Sequence, residues 1–127
     1  METNLLTAFL LLLPFLSKAQ VVVGGVDISN ADSIQVIEVF VDRRSWKNVD
    51  AYVDFGQRDN SKVLGLGARA DEMKIMDPKT KRKIVFKSTA SVINFLEKND
   101  WVHYSNNLAL NGGADVGGYY YFRKKSR

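Results

Sequence analysis

The chain has 127 residues, with 18 Lys plus Arg against 14 Asp plus Glu for a net charge of +4, one His and no Cys. That length admits one small domain, and 46% hydrophobic with 25% charged residues is globular usage, which excludes a disordered, collagenous or solenoid chain. Without cysteine there is no disulfide scaffold, thiolate nucleophile, Cys-bound zinc, iron–sulfur cluster or lipid-modified N-terminal Cys, and a single histidine excludes a multi-His metal site.

Residues 5–16 form an uncharged run broken only by Thr7 and Pro14, followed by Ser17-Lys18-Ala19, a small-x-small pattern open to a signal peptidase. The run is shorter than the roughly 20 apolar residues that span a bilayer. Residues 1–19 are therefore expected to be a cleaved signal peptide and 20–127 a single domain, exported to the periplasm or outside the cell and not lipid-anchored. Cleavage before Gln20 removes Glu2 and Lys18 together and leaves the net charge at +4.

Residues 20–33 mix a valine run with Gly24-Gly25 and polar residues, and read as a lead-in with a short turn of helix. Residues 34–41 are rich in β-branched side chains, with Ile37, Val39 and Val41 on one face and Ile34, Val36, Glu38 and Phe40 on the other, as in an interior strand. Val49, Ala51, Val53 and Phe55 alternate with Asp50, Tyr52 and Asp54, the period of a strand with one wet face, and 42–48 would close a hairpin. Residues 57–70 read as a loop with a short strand at 63–66. Residues 74–76 and 84–86 flank Asp77-Pro78-Lys79-Thr80, a turn in which proline presets the backbone angle and the Asp side chain bonds the backbone amides just beyond it.

Ser88 is placed to cap a helix with Val92, Phe95 and Leu96 inward and Ile93 at the margin. Such a helix is marginal alone in water and must dock on the sheet. Asn99 suits a left-handed C-terminal position. Residues 101–110 resume extended structure with Val102, Tyr104, Leu108 and Leu110 on one face, 111–118 give a glycine-rich turn, and 119–124 form an aromatic strand. The expected fold is α+β: an antiparallel sheet of four to six strands with one main helix on one face, in the order β-β-(short hairpin)-α-β-β.

The strand ending Val53-Asp54-Phe55-Gly56-Gln57, the turn at Asp77, Phe86-Lys87-Ser88 opening a helix, Asn94 within it, Trp101 after it and an aromatic strand ending near Arg123 together resemble a family of small exported bacterial proteins of unknown function. The resemblance covers residues 34–123 and implies the same antiparallel sheet and helix. The family commonly has Gly before the tryptophan, where this chain has Asp100. It implies no catalytic or ligand residue.

His103, the only imidazole, lies two residues after Trp101 and shares its face; no Gly-x-Ser-x-Gly motif accompanies it, so it reads as a packing histidine. Glu38 is an acid in an apolar strand, which Asp50 and Asp54 could join in a carboxylate cluster. Asp27, Asn30 and Asp32, and separately Asn111 and Asp115, lack the spacing of a calcium loop and read as turns capping nearby backbone. Gly65-Leu66-Gly67 lacks the context of a dinucleotide site. The sequence therefore calls for no metal and no cofactor.

Basic residues gather at Lys79, Lys81, Arg82, Lys83 and Lys87, and again at Arg123, Lys124, Lys125 and Arg127. Side by side they would make one positive patch for an anionic glycan or lipid surface; export argues against nucleic acid. Tyr119 and Tyr121 share one strand face and Tyr120 and Phe122 the other, so one pair is core and the other a candidate platform, together with Tyr52. The expected ligand-binding residues are Tyr52, Tyr119, Tyr121, Lys81, Arg82, Lys83 and Arg123. The expected function is a non-enzymatic binding or interaction module, with a homodimer through a sheet edge as one partner arrangement. The alternative is a small hydrolase acting on a cell-envelope glycan through Glu38 and Asp54.

Overall fold

The computed structural model describes residues 19–57 and 71–126. The leader apart from Ala19, the strand expected at 63–66 and Gly65-Leu66-Gly67 lie outside the described residues. Along the chain the elements are β1 (Val22–Val23), β2 (Val26–Asp27), β3 (Val36–Asp42), β4 (Asp50–Asp54), a 3-10 turn (Asp71–Met73), β5 (Ile75–Met76), α1 (Thr89–Lys98), β6 (Trp101–Asn111) and β7 (Ala114–Lys124). The main sheet is antiparallel in the order β4-β3-β7-β6, and a smaller one runs β2-β1-β5. This is the expected α+β fold, with one α-helix among the described residues packed on one sheet face.

The alternation read for β3 sets the layers. Ile37, Val39 and Val41 point into one core with Ala51, Val53 and Phe122 from the neighbouring strands, Val92 and Leu96 from α1, Val23 and Ile75 from the small sheet, and Val21 just before it. Each of the fully buried aliphatic side chains on α1 contributes about 1.5–3 kcal/mol, which holds a ten-residue helix that would melt alone. Ser88 caps α1 by accepting from the Ser91 amide at 3.1 Å, while the Ser91 hydroxyl oxygen accepts from the Ser88 amide at 3.1 Å. Trp101 is fully buried, and its indole N–H donates to the Ser29 hydroxyl at 3.2 Å, tying the N-terminal segment to the end of α1.

Four local expectations are corrected. The lead-in is no helical turn but a hairpin: Val23 pairs with Val26 across Gly24-Gly25, whose φ values of 57° and 78° fit the two-residue turn that matches strand twist. Asn99 keeps φ at −105°, and the left-handed residue is Asp100, at 68°, a position glycine usually fills. The second glycine-rich turn is only Gly112-Gly113, and 114–118 already belong to β7. Val102, Tyr104, Leu108 and Leu110 do not share a face, because a bulge between His103 and Ser105 resets the alternation: Val102 opposes Arg123, whereas Leu108 opposes Gly118.

Candidate functional site: the sheet face away from the helix

Strand pairing arranges the second face of the main sheet in rows. Tyr52 of β4 opposes Phe40 of β3, Phe40 opposes Tyr119 of β7, and Tyr119 opposes Asn107 of β6. The next row reads Asp54, Glu38, Tyr121 and Ser105, and the one beyond it Val36, Arg123 and Val102. Phe40, in the middle of this face, is 7% exposed yet is not part of the core cluster.

The aromatic row is continuous. The Phe40 ring lies 6.4 Å from Tyr52 and 4.9 Å from Tyr119, and Tyr104, turned onto this face by the bulge, lies 6.4 Å from Tyr121. These spacings fall in the range of favourable offset ring pairs. Lys74 closes the β4 end, with Nζ 5.6 Å from the Tyr52 ring centre and 3.1 Å from an Asp50 oxygen. Burial opposes the Lys74 charge, but Asp50 and its neighbours outweigh it and raise the pKa; burial raises that of Tyr52.

Polar groups frame the rings. Burial first, and then the hydrogen bond with Glu38, raises the Tyr121 phenol, which stays protonated and able to donate to that carboxylate. Asn107 also reaches the Tyr121 oxygen. Residues directly opposite on antiparallel strands hold their Cβ atoms about 4.5–5.5 Å apart, so Glu38 and Asp54 are adjacent carboxylates. Asp54 accepts from the Gly56 amide at 2.9 Å. Asp42 is nearly buried at the row's far corner and is gripped by Arg44, whose Nε donates to both oxygens at 3.0 and 3.1 Å.

The structure thus brings together Tyr52, Tyr119, Tyr121 and Arg123, and adds Phe40, Tyr104, Ser105 and Asn107, which the sequence reading leaves out. Phe40 and Asn107 carry a signal only once strand order is known, and Tyr104 is hidden by the bulge. Lys81, Arg82 and Lys83 lie elsewhere. Their turn comes after β5, which pairs with β1, while Lys74 bridges to β4, so β3 and β4 stand between this turn and β7. Lys83 is paired with Asp71 at 2.5 Å, and that hydrogen bond pulls the Asp71 carboxyl below its usual range. At the other end, Lys124 reaches the Ala31 carbonyl at 2.8 Å and lies over Trp101. The two basic groups are separate features.

His103 faces the core side, 5.4 Å from Phe122 and 5.8 Å from Tyr120, away from Glu38, Tyr52 and Tyr121. The Asp27 carboxylate accepts from the Ser29 amide at 3.2 Å and the Asn30 side chain at 2.6 Å, the capping arrangement expected of that turn. Asp115 likewise accepts from the nearby Gly117 amide at 3.0 Å and in addition bonds Arg43 at 2.8 Å, which raises the guanidinium pKa; Arg43 also donates to Tyr120 at 3.0 Å. Two cavities, of about 470 Å³ beside Gln35 and Lys124 and about 240 Å³ beside Asn48 and Lys83, include neither Glu38 nor Asp54. Comparison with protein-family models, with curated proteins and with solved structures finds no match for the chain.

Proposed function

We propose that the chain is an exported binding module whose sheet face, with the half-buried Tyr52 and Tyr119 flanking the buried Phe40, holds a neutral glycan. The observation that carries this reading is the unbroken aromatic row with hydrogen-bonding groups, Asn107, Ser105, Glu38 and Asp54, beside it. Pyranose rings present apolar C–H faces that stack on aromatics and hydroxyls that carboxylates and amides bind, and a few convergent polar groups on an apolar floor are the usual composition of a small-ligand site. The acids on the face disfavour an anionic glycan. Export is supported by the apolar run of residues 5–16 and the small-x-small pattern that follows it.

The test is retention on insoluble chitin and cellulose, followed by titration with their soluble oligosaccharides. Retention that survives 0.5 M salt and is lost in Tyr119→Ala supports the reading. Binding only to heparin or anionic liposomes, weakening steeply as salt rises, would move the site to the basic residues and overturn it.

The direct opposition of Glu38 and Asp54 favours a second reading, hydrolysis of the bound glycan, because retaining glycosidases hold two carboxyls about 5–5.5 Å apart. Release of reducing sugar that Glu38→Gln abolishes while retention persists would support it; retention without release leaves the binding module.

A further inference from the structure

The two edges of the main sheet differ. The β4 edge is guarded: Lys74 bridges onto Tyr52, and Asp50 and Asp54 place charges along the strand. The β6 edge is an eleven-residue strand without Lys, Arg, Asp, Glu or Pro, the residues that usually block strand addition. Its own bulge lies at His103 to Ser105; a second irregularity, between Ala109 and Leu110, puts the extra residue, Val116, on β7 and leaves β6 consecutive over 105–111. Leu108 and Leu110 on that stretch are 66% and 60% exposed, an unusual state for two leucines on one strand face.

We propose that β6 pairs antiparallel with β6 of a second copy of this chain, about a two-fold axis at Ala109. An axis perpendicular to the sheet keeps every residue on its own face, so residues of like parity must meet. With Ala109 on the axis, Leu108 opposes Leu110 of the second copy, and Asn107 opposes Asn111. All four leucines then form one cluster on the helix side. The strand's composition selects a second copy over a foreign chain: each copy carries a net charge of +4, yet the seam brings no like charges together. A partner recruited by that positive charge would find nothing on β6 to pair with. The result is a continuous eight-stranded sheet, with both aromatic rows on the same side and available to one extended ligand.

Light scattering after size exclusion reads the oligomer, and the cysteine-free sequence makes cross-linking clean. The expected result is a dimer of twice the chain mass. The Leu108→Lys/Leu110→Lys double variant should raise its dissociation constant at least tenfold while the circular dichroism spectrum is unchanged. Ala109→Cys should form a disulfide-linked dimer on mild oxidation, since opposed Cα atoms at about 4.5–5.5 Å lie within disulfide reach, whereas Lys87→Cys should not. A monomer at millimolar concentration, or a dimer that neither the leucine variant weakens nor Ala109→Cys traps, overturns the proposal. Failure of glycan retention leaves this outcome untouched, because Tyr119→Ala alters the face and not the edge.

Discussion

One strand, β7, serves two surfaces. Tyr120 and Phe122 point toward α1, where Phe122 is fully buried beside His103 and Tyr120 takes a hydrogen bond from Arg43. Tyr119 and Tyr121, one residue away in each case, point to the other face, where they meet Phe40 and Glu38. The difference is not one of composition, since both faces carry aromatic rings. It lies in what each ring meets: aliphatic side chains from the helix and small sheet on one side, carboxylates, amides and solvent on the other. A period of two lets a single run of four aromatic residues put two rings into the core and two on the opposite face.

That comparison breaks if the two faces respond alike to truncation. Phe122→Ala should lower the free energy of unfolding by about 3–5 kcal/mol, read by denaturant titration, because it empties a fully buried ring site. Tyr121→Ala should lose only about 1 kcal/mol or less, the scale of a cross-strand pair. Equal losses would mean that the second face is also core.

Gly117 sharpens the point from the backbone side. A Cβ there would run into the Val41 carbonyl oxygen, so Gly117→Ala forces β3 and β7 apart and should cost about 1–3 kcal/mol despite adding one methyl group. Ser88→Ala removes the α1 cap and should cost about 1 kcal/mol by the same titration, a loss confined to the helix side.

The smallest expected effect is on pH dependence. Asp77 accepts from the Thr80 and Lys79 amides at 3.0 and 2.8 Å, which lowers its pKa from the ordinary 3.8. The unfolded chain then binds the proton more readily than the folded one. The turn's stabilisation is present above that ordinary value and is lost as pH falls through the depressed one. Asp77→Asn should flatten this acid limb slightly in thermal unfolding between pH 5 and 2, whereas Tyr119→Ala should leave it unchanged.

Most of the fold was legible because it rests on local periods. The alternation in 34–41 and the 3.6-residue spacing of Val92, Phe95 and Leu96 each located an element and its buried face, and Tyr119 with Tyr121 could be assigned to one face from parity alone. Features set by backbone geometry were not legible in this way. Valines around Gly24-Gly25 are also the signature of a tight hairpin, the bulge after His103 reverses parity without a marked residue, and Asp100 adopts a left-handed conformation that Asn99 suited equally well. The site was half legible. That Tyr52 joins Tyr119 depends on β3 lying between β4 and β7, a non-local pairing, and the separation of Lys81, Arg82 and Lys83 from Arg123 comes from β5 pairing with β1.

The most direct test of the account is the affinity of Tyr119→Ala for a soluble chitin or cellulose oligosaccharide, measured by calorimetry on protein shown to unfold at nearly the wild-type midpoint. The account gives binding by the wild type and at least a tenfold loss in the variant. Undiminished affinity in the folded variant would contradict it, because the aromatic row would then have no part in recognition.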